Sequence, residues 1–509
     1  MAYSVFDPSQ FLAIAPEIGL TLWALIILAV DMFSARRISR RALGILAAAG
    51  MAGVLVLSLL IAVPPATVAP QIGADSRAVL GGMIRHDLFA FVFRVIFIVA
   101  GILTCLVSID FRPARAGGEY YALLILATMS MGLMAASNDL IMLYLATEAS
   151  SFALYLLAGF MRDMPRSAEA GIKYFVFGAV TSTIMLYGIA LIFGLSGGQT
   201  NYAAVAQALL TPNTSILAVL AALFVIAGFA FKTSAVPFHF WTPDVYEGAP
   251  TPFVGFLSTA SKAAGFAILM RFLLYVFEPP FSQASVVWVQ LMQPLAILTM
   301  FLGNLLAITQ SNIKRMLAYS SIAQAGYMLI GVTAFGFAYS RQSPEAAADA
   351  VAAVIFYAAT YMLTNVGAFA VVSIVSQRVG SEQISAFNGL GRRAPYTALG
   401  MTAAMLSLLG APPLVGFVGK LFLFRAAISD DLVMLVAMGV INVLISVFYY
   451  LGIVRAMYVE RSADDARPVT VPAATGWVVL VSSTAILFIT VASTQFWSIA
   501  LDAARALLN

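Results

Sequence analysis

The sequence predicts an all-α protein that crosses a membrane about fourteen times. Of its 509 residues, 62% are hydrophobic and only 10% are charged, and the mean hydropathy is +0.96. Roughly 25% of the residues in an ordinary globular protein are charged, and a soluble core could not bury this much apolar surface. The apolar residues also occur in stretches of about 20, the length of helix that spans a 30 Å hydrocarbon core. These observations predict a single polytopic membrane domain, 1–509.

The fourteen predicted spans are separated by clusters of Pro, Gly and charged residues. They cover residues 11–33, 41–63, 87–108, 119–137, 139–161, 168–195, 216–248, 252–277, 286–309, 313–335, 347–377, 394–427, 429–459 and 470–497. We group them as three N-terminal helices, a first repeat, a second repeat and a C-terminal helix, in that order: 11–108, 119–277, 286–459 and 470–497.

The alternating loops differ in positive charge, which predicts the orientation. One set carries sixteen Lys and Arg residues and the other carries five. Because cytoplasmic loops are enriched in Lys and Arg, the richer set is expected in the cytoplasm and both termini outside. The richer set is Arg36, Arg37, Arg40, Arg41, Arg112, Arg115, Arg162, Arg166, Lys314, Arg315, Arg378, Arg392, Arg393, Arg455, Arg461 and Arg467, and the poorer set is Arg77, Arg85, Arg341, Arg425 and Arg505.

Several classes of partner and cofactor are excluded by composition. The formal net charge is only +4 and no Lys/Arg run exceeds a pair, so nucleic acid is not an expected partner. Cys105 is the only cysteine, and His86 and His239 are the only histidines. This set offers no ligands for zinc, iron–sulfur or haem. Dinucleotide and Walker motifs are missing too, so no metal or redox cofactor is expected on this chain.

Four of the five lysines fall inside predicted spans: Lys173, Lys232, Lys262 and Lys420, whereas Lys314 falls in a loop. A lysine at the bilayer centre raises the insertion free energy by about 2.5–3.5 kcal/mol, which makes an intramembrane lysine a functional candidate. Lysine can lose its proton, whereas arginine cannot. A fixed structural ion pair is the alternative, and it is strongest for Lys173, close to the end of its span.

Other buried polar residues are weighed in the same way. Glu148 lies nine residues after Asp139 and so about 13–14 Å into its span, near the membrane centre. It is the matching acid for the lysines. His239 is equally consistent with a proton relay and with a hydrogen bond between helices. Arg94 and Arg271 are expected to reach the outer surface by snorkelling and to be structural.

Prolines interrupt spans seven and twelve at matching places. Pro237 breaks one and Pro412 with Pro413 the other, and Pro237 and Pro412 are 175 residues apart. Spans four to eight and nine to thirteen therefore read as two five-helix repeats. Because five is odd, the second repeat is inverted. Two discontinuous helices at equivalent positions, each carrying a lysine, are typical of ion-translocating transporters.

Three stretches resemble a known family. They are FKTSAVPFHFWTPDVYEGAPTPFVGFLSTASKAAGF, SNIKRMLAYSSIAQAGYMLIG and LLGAPPLVGFVGKLFLF. The chain resembles the antiporter-like membrane subunits of respiratory complex I, the NADH:quinone oxidoreductase, and among them the N type. The related M subunit carries glutamate at the span-twelve position, where this sequence has Lys420.

The resemblance implies a proton-translocating role for particular residues. It implies that Glu148 pairs with Lys232, that Lys262 and Lys420 continue the route, and that Lys173 and His239 take part. Protons would move from the cytoplasm to the outside, driven by electron transfer from NADH to quinone. FMN, iron–sulfur clusters and quinone would belong to other subunits.

The resemblance also implies the surroundings of the chain. Expected partners are the neighbouring M subunit, the small K and J subunits, the lipid bilayer and, indirectly, the peripheral redox arm. The expected location is the bacterial cytoplasmic (inner) membrane, with both termini periplasmic. Two alternatives stay open: a subunit of a monovalent cation/proton antiporter, and a structural subunit whose charges only join helices.

Overall fold

The computed structural model describes residues 8–34, 38–61, 78–111, 117–209, 216–277, 283–462 and 467–508. Of the residues used above to predict orientation, Arg36, Arg37, Arg77, Arg112 and Arg115 lie outside these ranges. The helices are α1 (Pro8–Ala13), α2 (Ala15–Phe33), α3 (Arg40–Ile61), α4 (Leu88–Asp110), α5 (Gly118–Ala136), α6 (Leu140–Ala158), α7 (Pro165–Leu195), α8 (Tyr202–Leu209), α9 (Ile216–Thr233), α10 (Trp241–Gly248), α11 (Thr251–Phe256), α12 (Lys262–Val276), α13 (Gln283–Ile308), α14 (Ile313–Ser340), α15 (Pro344–Val379), α16 (Leu390–Arg393), α17 (Pro395–Leu409), α18 (Val415–Ser429), α19 (Val433–Tyr458), α20 (Ala473–Val491) and α21 (Ser493–Leu508).

The polytopic all-α fold class is confirmed. Within the described ranges, thirteen continuous helical segments are long and apolar enough to span a membrane. The predicted fourteenth span, 394–427, is formed instead by two shorter helices, α17 and α18. The only strands in the described ranges form one small hairpin, Ala78–Val79 with Ile84–Arg85. The grouping into two inverted repeats stays a prediction.

Observed helix ends differ from the predicted ones where caps and prolines decide them. α7 begins at Pro165, three residues before the predicted start, because proline is favoured in the first turn of a helix. The last predicted span, 470–497, is two helices. α20 ends at Val491 and the amphipathic helix α21 follows it, packed on α15 and α4.

The centre of the molecule is formed by α12, α14 and α15. Their side chains are buried almost all round, whereas α2, α7, α19 and α20 expose broad apolar faces. A helix that is apolar on all sides belongs in a protein interior. Lipid-facing helices therefore surround a central group that is shielded from lipid. Within that group, a five-residue π-helix, Leu257–Ser261, immediately precedes α12.

Two helix breaks lie beside this central group. α9 ends at Thr233 and α10 begins at Trp241, with Pro237 between them. α17 ends at Leu409, and Gly410 takes a positive φ of 84° that lets its N–H reach the carbonyls of Leu406 and Ser407. Breaks of this kind leave backbone carbonyls without helical partners, and at membrane depth they are tolerated where protein or water can satisfy those carbonyls.

The two intramembrane arginines are buried, so the expectation that they snorkel to the surface is wrong. Arg271 is fully buried and binds both carboxylate oxygens of Asp87, at 2.7 and 2.8 Å, and the Ala135 carbonyl at 2.8 Å. Arg94 donates to Glu17 at 2.7 Å. Both guanidinium groups find a carboxylate inside the protein and have no need to reach the membrane surface.

Asp87 precedes the first residue of α4 and therefore lies at the end of the membrane span. Burial raises its pKa, but the charge and hydrogen bonds of Arg271 outweigh burial, and the net pKa lies below the usual value. The carboxylate therefore stays charged at neutral pH. Its side chain also accepts the N–H of Ala90 at 2.8 Å, so a single residue caps α4 and anchors α12.

We predict that Arg271→Met destabilises the protein by about 3–5 kcal/mol, because it leaves the buried Asp87 carboxylate with only its longer contact to Arg85, at 3.4 Å. The matched control is Arg505→Met. Its ion pair with Glu345 is exposed, with side-chain exposures of 47% and 76%, so solvent screens it and little stability should be lost. Thermal unfolding in detergent measures both variants. Equal melting temperatures for the two would contradict the prediction.

Candidate functional site

Three lysines lie deep in the protein, each beside an irregularity in a helix. Lys232 is 3% exposed, Lys262 is 0% exposed and Lys420 is 2% exposed. Lys232 is next to last in α9, just before the first break. Lys262 follows the π-helix, and Lys420 lies in α18, just after the second break. Irregular helical turns are frequent at functional sites because they change the direction of side chains and free backbone groups.

Lys232 is held by hydroxyl groups of α6. Its Nζ donates to Ser150 Oγ at 2.7 Å and to Ser151 Oγ at 3.0 Å. On α12, Gly265 leaves room for this side chain, since a β-carbon there would lie 3.2 Å from Lys232 Cγ. Lys232 therefore lies between α6 and α12 and is bonded to neutral groups.

The direct pairing of Glu148 with Lys232 is not present in this structure. Glu148 is half-buried, and its Oε1 accepts a hydrogen bond from Ser182 of α7 at 2.6 Å. Glu148 lies one turn before Ser151 on α6, so its carboxylate is on the same side of the helix as one of the serines that bind Lys232, although it forms no ion pair with the amine in this structure. The carboxylate is turned toward α7 and the amine toward the two serines.

Lys262 reaches across to α14. Its Nζ donates to the carbonyl of Ser321 at 2.8 Å and to the hydroxyl of the same residue at 2.9 Å. That hydroxyl is also 3.3 Å from the phenol oxygen of Tyr246 in α10. The first helix break and the start of α12 therefore meet at one serine of α14.

Lys420 binds the carbonyls that the second break releases. Its Nζ donates to Leu408 at 2.9 Å and to Leu409 at 3.0 Å, and it lies 4.3 Å from the centre of the Tyr327 ring. Carbonyl dipoles and an aromatic face both favour a cation without supplying a negative charge. Lys420 thus has polar neighbours and no carboxylate partner among the described residues.

A line of polar side chains on one face of α14 joins the sites of Lys262 and Lys420. Ser320, next to Ser321, lies 2.6 Å from the hydroxyl of Tyr450. Gln324 donates to that hydroxyl and to the Leu408 carbonyl, each at 2.9 Å. Tyr357 donates to the Gln324 side-chain oxygen. Since Leu408 also accepts from Lys420, the contacts run from one lysine to the other with a single step along the α14 backbone.

His239 and Lys173 lie apart from this line. His239 is 5% exposed, its ring lies 4.5 Å from that of Phe240, and its Nδ1 has no hydrogen-bond partner among the described residues. The side chain of Lys173 is 37% exposed and pairs with Asp244 at 2.7 Å and Glu169 at 2.6 Å. It lines a polar cavity of about 210 Å³, also lined by Arg315. The structure thus places Lys173 in a surface charge cluster.

The expectation that Lys314 lies in a loop is wrong. It is the second residue of α14, is 2% exposed, and donates to Glu382 and to the Ala249 carbonyl, both at 2.9 Å. Asn312 caps the helix by accepting the N–H groups of Lys314 and Arg315. The capping asparagine directly before the apolar run was the sequence signal that the helix begins at Ile313 and includes Lys314.

Known proteins share both the sequence and the fold. The family described as NADH:quinone oxidoreductase/Mrp antiporter, TM matches residues 137–446. NADH-quinone oxidoreductase subunit N of Moorella thermoacetica is 43% identical over 452 residues, which cover 88% of this chain and 89% of the relative. This chain belongs to the subunit N family. NAD(P)H-quinone oxidoreductase subunit 2 of a Synechococcus species is 39% identical over 478 residues, 93% of this chain and 86% of the relative.

Solved structures agree with membership of the subunit N family. A chain of respiratory complex I from Thermus thermophilus with bound Aureothin aligns with a TM-score of 0.75 and 28% identity, covering 95% of this chain and 98% of that one. A chain of the Mrp complex from Dietzia sp. DQ12-45-1b aligns with a TM-score of 0.81 and 19% identity, covering 98% of each. At that identity the second likeness concerns the fold alone.

The family match includes every candidate site residue and every helix-breaking proline predicted from the sequence. They are Glu148, Lys173, Lys232, Pro237, His239, Lys262, Pro412, Pro413 and Lys420. Their individual roles stay predictions. Within the described ranges, no group of three or more His, Cys, Asp or Glu side chains is arranged to hold a metal ion.

We predict that Gly416→Ala disrupts the second break and the site of Lys420. A β-carbon at this position would lie 1.8 Å from the Ser407 carbonyl oxygen, so α17 and α18 would have to separate. Gly452→Ala in α19 is the matched control, because nothing lies within 4 Å of its added carbon. Thermal stability and yield of folded protein measure both. A Gly416 variant as stable as the control would refute the close approach.

Proposed function

We propose that this chain is a proton-translocating membrane subunit of an NADH:quinone oxidoreductase, respiratory complex I. Protons move from the cytoplasm to the outside through Glu148, Lys232, Lys262 and Lys420, and electron transfer from NADH to quinone in other subunits drives them. The observation that carries this proposal is that the three buried lysines bond only to neutral groups.

Burial without a counter-charge makes the protonation of an amine reversible. A low-dielectric interior disfavours a charged group unless dipoles or an opposite charge stabilise it. Hydroxyl and carbonyl oxygens stabilise the ammonium in part, yet they do not lock it in the charged state. A lysine in such a site can take up a proton and pass it on as its surroundings change.

The other buried cations of the protein each form an ion pair with a carboxylate. This difference argues against a purely structural role for Lys232, Lys262 and Lys420. Arg94 is bonded to Glu17, Arg271 to Asp87 and Lys314 to Glu382. Each of these buried cations has a carboxylate at 2.7–2.9 Å. The chain therefore supplies a paired acid where a permanent charge is required, whereas among the described residues no carboxylate forms an ion pair with Lys232, Lys262 or Lys420.

In this proposal the proton enters on the cytoplasmic side of the first repeat and passes laterally into the second. Lys173 and His239 take part in proton entry, and Lys314 lines a second cavity of about 360 Å³ on the same side. Glu148 acts as a gate, since a carboxylate that moves toward Lys232 favours the ammonium form and one that moves away favours the amine. The line through Ser320, Tyr450 and Gln324 marks the lateral route, in which buried water carries the proton past the Gln324 amide and the Leu408 carbonyl, since neither of these groups takes up a proton.

The complex provides what this chain does not carry. We assign FMN, iron–sulfur clusters and quinone to other subunits, and we expect the M, K and J subunits beside this one in the membrane. The loop charges favour a bacterial cytoplasmic (inner) membrane location with both termini in the periplasm. A monovalent cation/proton antiporter subunit is the alternative, but its support from the Mrp complex is a likeness of fold.

We predict that Lys232→Ala and Glu148→Ala each lower NADH-driven proton pumping by about ten-fold or more, because each removes a group that transfers or controls a proton. Pumping is measured by acidification of vesicles that contain the assembled complex. Glu460→Ala is the control, since that carboxylate pairs with Arg455 at the exposed surface. Normal pumping by both variants in an assembled complex would rule out the proposed function.

We also predict that two adjacent tyrosines of α19, Tyr449 and Tyr450, differ in their effect on proton pumping. Tyr450→Phe removes the hydroxyl that connects Ser320 with Gln324, and it should slow proton pumping several-fold. Tyr449→Phe removes a neighbouring hydroxyl that donates to Asn304 at 2.8 Å. Because it leaves the contacts of Tyr450 with Ser320 and Gln324 in place, it should lower pumping much less.

The two variants differ by one residue position and delete the same group. Both are measured in the assembled complex against its NADH oxidation rate. Equal loss in the two would mean that the deletion acts through packing, and equal retention would mean that the lateral route does not run through Tyr450.

A further inference from the structure

A carboxylate at the end of α18 has the features of a terminal proton acceptor. Asp430 directly follows the last residue of α18 and is 3% exposed, although its neighbours Ser429 and Asp431 are exposed. Its Oδ2 has no hydrogen-bond partner among the described residues. A buried carboxylate oxygen without a donor is costly unless the group can be protonated.

The other carboxylates at this end of α14, α15 and α18 are paired. Asp431 binds Arg341 at 3.0 Å, Asp349 binds Arg425 at 3.2 Å and Glu345 binds Arg505 at 2.9 Å. All three are exposed, with exposures of 85%, 42% and 76%. Asp430 differs from them in both respects, since it is buried and forms no ion pair within the described ranges.

Asp430 lies on the buried face of the helix that carries Lys420. Ten residues separate the two, which is a rise of about 15 Å along the helix. Lys420, Leu423, Ala427 and Asp430 recur at intervals of three or four residues and are all buried, so they share one face. This buried face runs from Lys420 to the end of α18 that is predicted, from the charges of the loops, to lie on the outer side of the membrane.

An apolar layer separates the amine from the carboxylate. Leu423 and Ala427 are both fully buried. A β-carbon on Gly331 of α14 would lie 2.7 Å from Leu423 and 2.5 Å from Val354 of α15. Three helices therefore meet tightly around Leu423. A layer of this kind blocks a continuous path for water, and it protects a loaded lysine from exchange with the outer solution.

We propose that Asp430 is the outlet group of this subunit, which accepts the proton released from Lys420 and gives it up to the outer solution. This inference rests on the proposed function. The proton leaves the Lys420 ammonium through water admitted when the layer around Leu423 opens, and it binds the Asp430 carboxylate. Asp430 then transfers it to outside water beside the exposed Asp431–Arg341 pair, which restores the carboxylate, and Lys420 stays a neutral amine until the lateral route supplies the next proton.

The local electrostatics support proton exchange at this position. Burial raises the pKa of Asp430 to about 6, with Arg341 of α14 opposing the shift and Asp431 adding to it. On α15, Asp349 is already neutralised by Arg425. The carboxylate also lies at the negative end of the α18 dipole, which disfavours its charged form.

The test uses inside-out vesicles that contain the assembled complex, because their lumen corresponds to the outer side. Asp430→Asn should lower the ratio of protons pumped to NADH oxidised at least about three-fold, since loss of a proton-transfer group slows its step by two orders of magnitude or more. Asp430→Glu should retain most of the pumping. Asp431→Asn is the matched control, one residue away and exposed, and it should pump like the parent complex.

A second readout separates proton release from a structural role. Pumping by the parent complex should fall as the lumen pH falls through about 6, because Asp430 then stays protonated and cannot accept another proton. Asp430→Asn should lose this inflection. Normal pumping by Asp430→Asn, or an inflection that persists in that variant, would overturn the assignment.

Failure of this inference can be told from failure of the proposed function. Lys420→Ala and Glu148→Ala are measured in the same vesicles. If those two lose pumping while Asp430→Asn keeps it, the outlet is elsewhere and the proposed function stands. If all three pump normally, the proposed function itself is wrong.

Discussion

A lysine amine within a membrane protein is stable only where the protein replaces the water that the amine has lost. Here the replacement is made by neutral dipoles: two serine hydroxyls for Lys232, one serine for Lys262 and two backbone carbonyls for Lys420. The rest of the fold provides these dipoles. The break after α17 frees the carbonyls, and the central position of α14 brings Ser321 to Lys262. Because no acid completes these sites, each amine can exist with or without its proton.

The same interior contains charges that cannot change. Arg271 with Asp87 connects α12 to the start of α4, and Arg94 with Glu17 connects α4 to α2. Arginine keeps its charge under all physiological conditions. The protein therefore uses guanidinium–carboxylate pairs to join helices, and in the proposed function it uses amines surrounded by dipoles for proton exchange. This chemical division separates the pairs that join helices from the positions proposed to exchange protons.

The sequence predicted the features that are determined within one segment of the chain, and it did not predict the contacts between side chains of different helices. Hydropathy located the spans, prolines located the breaks at Pro237 and Pro412, and lysines inside apolar stretches identified the candidates. The direction of Glu148 was missed because it depends on Ser182 in another helix. Gln324 and Tyr450 were missed for the same reason, since 126 residues separate them. Polar residues three or four apart on apolar α14 were the available signal.

The hydrogen-bonding environment of Lys420 has a consequence for energy coupling. The carbonyls of Leu408 and Leu409 accept hydrogen bonds from an ammonium and, more weakly, from the two N–H groups of a neutral amine, so both states can keep the same geometry. A two-state element whose forms are close in free energy responds to small perturbations, and 1.4 kcal/mol changes their ratio ten-fold. A distant charge that shifts by a few ångströms can supply that much through a medium of low polarity. This subunit can therefore be driven by an electric field, with little mechanical displacement of its helices.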